Sequence, residues 1–167
     1  TEEFVLPTAH ECLALLAGCS APAAPAFDAA HQAAMVDSVS AMLESWRGAV
    51  GEMAVDRIAT FYAPDSAFRW IEDGATRYLS SDDIGSAIRG MQGSIRSMEF
   101  TLVEPKISPL APGVAVVTTG FTQKFTDTAG VTGGYAGTIS MTVVHRDTAW
   151  RFLVGHTSAL APAPQGR

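Results

Sequence analysis

Two cysteines in 167 residues leave little room for cross-linking. Cys12 and Cys19 lie seven positions apart with no histidine pair nearby, so they supply neither a disulfide framework nor a four-ligand zinc set. The four histidines show no ligand spacing either, and no metal is expected. Only 11 side chains are Lys or Arg, and they form no stripe, which excludes nucleic acid and polyanionic substrates as partners. No apolar run is long enough to span a bilayer. The chain also has no phosphate-cradling glycine loop, no Gly-x-Ser-x-Gly elbow and no dinucleotide fingerprint, so no cofactor is expected.

What is present suits one domain. Apolar residues make up 47% of the chain, enough for a core at this length without staples. The net charge of -6 is concentrated early: Glu2, Glu3, Glu11, Asp28, Asp37 and Glu44 all precede Arg47, the first basic residue. From Arg47 onward acids and bases balance at 11 each, so the body is close to neutral.

The order of patterns divides the chain into residues 1–27, a leader-like segment with an Ala/Pro linker, a domain over 28–160, and a tail over 161–167. Asp28 is a good N-cap, and Met35, Val39, Met42, Leu43, Trp46 and Val50 recur at spacings of three and four, predicting one long amphipathic helix. A second helix is predicted from Glu52 to Tyr62, stopped by Pro64. Phe68 to Glu72 alternates as a strand, Asp73-Gly74 turns it, and Thr76 to Leu79 returns. Ser80 and Asp83 stand at capping-box spacing before a third helix with Ile84, Ile88 and Met91 on its apolar face.

Everything after that reads as strand: Ser97 to Ile107, Gly113 to Thr126, Tyr135 to His145 and Trp150 to Ala159, with Gly133-Gly134 in a hairpin turn. Helices first and a meander of long strands afterwards predict an α+β domain, its helices packed in a strongly curved, mainly antiparallel sheet. In the last strand simple alternation puts Trp150, Phe152, Val154, His156 and Ser158 on one face, so an imidazole shares a face with large apolar groups.

Two local sequences carry a family resemblance: Phe61-Tyr62-Ala63-Pro64-Asp65-Ser66-Ala67-Phe68 after the second helix, and Trp150-Arg-Phe-Leu-Val-Gly-His156-Thr-Ser158 near the end. With the element order, they resemble the SnoaL-like group of the nuclear-transport-factor and ketosteroid-isomerase superfamily over roughly residues 29 to 160. The resemblance implies a cone-shaped α+β barrel with a cavity at its wide end and a homodimer of the kind the family often forms through the sheet; in such a cone the chain's aromatic and Met side chains, with few polar groups, suit a small, largely apolar ligand. It does not imply one reaction, since the family includes enzymes and proteins that only bind or assemble. An approximate alignment puts Trp70 where ketosteroid isomerases keep their base and Met141 near their second acid; Trp70 cannot accept a proton and Met141 is apolar, so steroid isomerisation is not expected. Separately, Leu16-Ala17-Gly18-Cys19 resembles the end of a bacterial lipoprotein signal, which would make Cys19 a membrane tether at the cell envelope. The other reading is an apolar helix packed on the domain of a cytoplasmic protein.

His156 is the candidate catalytic residue, because imidazole titrates near neutral pH; the plainer alternative is a ring that fills the cone. An acidic partner is not identified. Tyr62, Trp70, Tyr78 and Tyr135 are candidate ligand-binding residues at the rim, each pairing apolar area with one donor, and Met141 joins them as apolar lining. Glu72 and Asp73 flank the hairpin turn and are expected in solvent. Two functions stay open: acid–base chemistry on a small apolar organic substrate without a cofactor, and a non-catalytic ligand-binding or assembly domain.

Overall fold

A computed structural model describes residues 27–160. The Cys12–Cys19 segment, the Ala/Pro linker up to residue 26 and the tail over 161–167 lie outside the described residues.

Helix α1 runs Ala29–Gly51, and the Asp28 carboxylate accepts a hydrogen bond from the His31 N–H at 2.8 Å, satisfying one free donor of the first turn. Its buried residues, among them Val39, Leu43 and Trp46, follow the predicted stripe. Helix α2 is only Val55–Ala59, shorter than the sequence predicts. Met53 turns the chain with φ 51, and at the other end Phe61 and Ala63 exchange backbone hydrogen bonds with Phe152. Backbone groups engaged with a strand cannot continue a helical ladder. Helix α3, Ser81–Met91, begins with the predicted capping box, Asp83 N–H to Ser80 Oγ at 3.1 Å and Ser80 N–H to Asp83 Oδ2 at 3.0 Å.

Six strands form one mixed sheet: β1 Arg69–Glu72, β2 Ala75–Tyr78, β3 Ile95–Ala111, β4 Val114–Asp127, β5 Thr132–Arg146 and β6 Ala149–Ala159, in the order β2-β1-β6-β5-β4-β3. The meander β3 to β6 is antiparallel, while β1 joins β6 in parallel. β5 begins before Gly133-Gly134, which lie in the strand: the Phe125 ring covers Gly133, and the turn falls over 128–131. Pro105 and Pro109 are tolerated because β3 is an edge strand. A bulge between Val103 and Lys106, with Glu104 at φ 49, bends that edge. The buried Thr119 hydroxyl donates to the Val103 carbonyl at 3.0 Å across it.

A second bulge decides what faces inward at β6. Val143 pairs with Phe152 and Thr142 with Val154, so Leu153 has no partner on β5. One extra residue reverses the alternation from that point. Phe152 is fully buried, and Gly155 then faces the core, where the Trp70 ring occupies the space a Cβ would take. His156 therefore lies on the exposed outer face, not beside Phe152 as unbroken alternation predicts. α1 lies chiefly over β3, and Trp46 meets Phe152 and Phe100 edge-on with centroids 4.9 and 5.2 Å apart. Met141, 1% exposed, belongs to this core.

Candidate functional site

Between the helices and the inner face of the sheet lies a cavity of about 190 Å³. Its base is apolar: Trp46 of α1, Phe100 of β3, Phe121 of β4 and Ile139 of β5. Ile84, Ile88 and Met91 of α3 form one side, and Met53 and Met98 add flexible thioethers. The polar groups come from four places. Tyr62 follows α2, Glu72 and Tyr78 come from the β1–β2 hairpin with Trp70, Gln123 and Tyr135 face each other across β4 and β5, and Thr157 comes from β6.

The hairpin places Glu72 by simple means. Trp70 and Glu72 are two apart on a strand and share its inner face, and Trp70 stands opposite Tyr78. Parallel pairing with β6 sets Glu72 beside Thr157. Beyond it, the Asp73 N–H donates to the Thr157 carbonyl at 3.1 Å, and Asp73 Oδ1 accepts from the Ala159 N–H at 3.0 Å. Asp73 at φ 47 and Gly74 at φ 83 make the tight turn that Asp-Gly favours. The turn is thus pinned to β6, and the carboxylate before it is directed over the cavity.

Electrostatics follow from burial. The half-buried Glu72 carboxyl is pushed above the ordinary carboxylate range by loss of water, opposed by Arg77 and reinforced by Asp73. Tyr62 is buried, and desolvation raises its hydroxyl far beyond the ordinary phenol range; the Trp46 indole works against that rise, while Glu72 and Tyr78 add to it. Tyr62 is therefore a neutral O–H at any physiological pH. Desolvation also raises Tyr78 and Tyr135, with Glu72 the next cause in both. The Tyr135 hydroxyl donates to Gln123 Oε1 at 3.1 Å. The Trp46 indole N–H is buried beside the Tyr62 hydroxyl but outside ordinary hydrogen-bond geometry, and it has no other partner among the described residues.

Of the residues the sequence singles out, Tyr62, Trp70, Tyr78 and Tyr135 all line the cavity. His156 does not, because the bulge turns it outward, and Met141 does not, because it packs beneath the lining. Glu72 is the functional candidate the sequence reading passes over. The signal that finds it is its spacing from Trp70, two residues along one strand. A second cleft, of about 260 Å³, lies near the other end of α1 and holds His31, His145 and Trp150 but no carboxylate. Among the described residues no group of three or more His, Cys, Asp or Glu side chains is arranged for a metal, and no helix is long and apolar enough to cross a membrane.

No protein-family profile matches the chain. No curated protein matches it in sequence. Solved structures do match in fold. A provisionally assigned scytalone dehydratase from Novosphingobium aromaticivorans aligns with a TM-score of 0.70 at 14% identity, over 77% of this chain and 86% of its own. A nuclear transport factor 2-like superfamily protein from Salmonella enterica gives 0.68 at 14% identity, over 80% and 96%. A ketosteroid isomerase-like protein from Erwinia carotovora gives 0.61 at 14%, over 75% and 96%. The architecture is therefore the nuclear-transport-factor-like cone that the element order implies. Identities this low establish the fold and leave the chemistry to the residues.

Proposed function

We propose that the cavity binds a small, largely apolar organic molecule and that Glu72 exchanges a proton with it, without a cofactor. The observation that carries this reading is one carboxyl in a largely apolar wall whose other polar groups, three phenols, Gln123 and Thr157, are uncharged, its pKa raised by burial. A carboxyl so placed is a stronger base when ionised than one in water, and its pKa moves toward the pH at which it must work. Tyr62 supplies a permanently protonated hydroxyl on the same wall, able to stabilise negative charge that develops on a substrate oxygen. The dehydratase- and isomerase-like neighbours are compatible with such proton transfers, but the residues here carry the argument.

A generic carbon acid tests it. Incorporation of deuterium at the α-carbons of 2-indanone, followed by NMR in heavy water, should be faster with the protein than in buffer. Replacing Glu72 by Gln should reduce the protein-dependent rate by at least about a hundredfold, the scale of a lost general base. The rate should rise with pH as Glu72 ionises, with a midpoint above the ordinary 4.5. Binding of 2-indanone with no exchange above background would leave a binding cavity and remove the proton-transfer role.

A further inference from the structure

The charge balance of the cavity is one-sided. Among the described residues that line it, Glu72 is the only acid and none is Lys, Arg or His. A carboxylate drawn into an apolar wall costs free energy unless a cation accompanies it. The cation that acts on Glu72, Arg77, lies outside the lining on an exposed position of β2, and Asp73 adds charge of the same sign as Glu72. Near the carboxylate stand three aromatic side chains and one hydroxyl: Tyr78 and Tyr135 feel its charge, Trp70 shares its side of β1, and Thr157 pairs with it on β6. The face of each ring is itself the negative end of a quadrupole.

We infer that the ligand of this cavity is an organic cation, an arylalkyl ammonium compound whose charged head sits at the mouth between Glu72, Tyr78 and Tyr135 and whose apolar part points in toward Phe100 and Phe121. The inference rests on the cavity being the ligand site, as proposed above, and not on proton transfer. A positive head supplies a counter-charge inside the cavity, where the lining has none, and is attracted by the electron-rich rings beside it. A neutral ligand of equal shape leaves the carboxylate uncompensated, and an anion is repelled by it. Size agrees: a cavity of roughly 150 Å³ accepts a benzene-sized ring, and this one offers about 190 Å³ with its mouth open to the head group.

Trp46 and Trp70 line the cavity, so their fluorescence reads binding directly. Benzylammonium, benzyl alcohol and benzoate have nearly one shape and three charges. With the full chain at neutral pH, benzylammonium should bind about tenfold more tightly than benzyl alcohol, the scale of a partly desolvated cation–π and carboxylate contact, and benzoate should bind most weakly. In the Glu72→Gln variant the ammonium preference should fall below about threefold, with benzyl alcohol bound no more weakly than by the wild type. In the wild-type chain, acidification through the titration of Glu72 should weaken benzylammonium without weakening benzyl alcohol. That second readout needs no variant. Equal or tighter binding of benzyl alcohol, or an ammonium preference that survives both acidification and Glu72→Gln, overturns the inference but leaves the proton-transfer reading intact. Loss of 2-indanone exchange with the ammonium preference retained does the reverse. If none of the three probes binds, both fall.

Discussion

A carboxyl that is harder to ionise in the folded chain than in the unfolded one ties stability to pH in a fixed direction. Below the ordinary value of 4.5 Glu72 is protonated in both states and contributes nothing. As pH rises the unfolded chain ionises first, so the folded state loses stability, and the loss is complete once pH passes the raised folded pKa. Gln carries no such cost. Calorimetry should therefore show Glu72→Gln melting higher than wild type at about pH 7.5, with the difference vanishing near pH 3.5. A variant that melts lower at neutral pH would mean that the ionised carboxylate is already compensated. This residue was legible in principle, because it alternates with Trp70. Its neighbours Asp73-Gly74 mark a turn, and turns usually face solvent; no local pattern shows that β6 pairs with β1 in parallel and draws the hairpin over a cavity.

Among the elements, β6 shows both what sequence patterning reaches and where it stops. The capping box of α3, the stripe of α1 and the Asp-Gly turn are local devices, and they appear where the sequence puts them. The bulge at Leu153 is not local. Leu153 falls between the Tyr62 bridge at Phe152 and the β1 ladder that begins at Val154, with β5 on the other side, and nothing in Phe-Leu-Val-Gly announces it. The effect of the bulge is to exchange His156 for Thr157 on the inner face, which is why the imidazole lies outside the cavity and a hydroxyl lines it instead. Deleting the unpaired residue should then be tolerated. A chain lacking Leu153 keeps Phe152 and Gly155 on one face in a regular ladder, and should stay folded with a loss of about 1–2 kcal/mol by denaturant unfolding. Deleting the paired Val143 instead reverses part of β5, and should leave no cooperative transition. Equal damage from the two deletions would mean that the bulge does not set the facing.

At the scale of the whole molecule, the question is whether the cavity is room kept for a ligand or a fault in the core. The two differ in how they respond to filling. Overpacking a close-packed interior forces side chains off their rotamers at about 1–3 kcal/mol, whereas an aromatic ring added to open apolar space gains burial without displacing anything. Ala87, on the α3 side of the lining, and Val39, fully buried in α1, offer the comparison within one fold. Ala87→Phe should leave the melting temperature unchanged or raise it, and should weaken 2-indanone at least about tenfold, equivalent to 1.4 kcal/mol of lost binding. Val39→Phe should lower the melting temperature by several degrees, the scale of about 1 kcal/mol in a domain of this size. If Ala87→Phe destabilises as much as Val39→Phe, the helices already close the space and the cone is simply filled. If it blocks the probe and spares the fold, then the cone holds a vacancy that stability does not require, bordered by the one acid among the described lining residues.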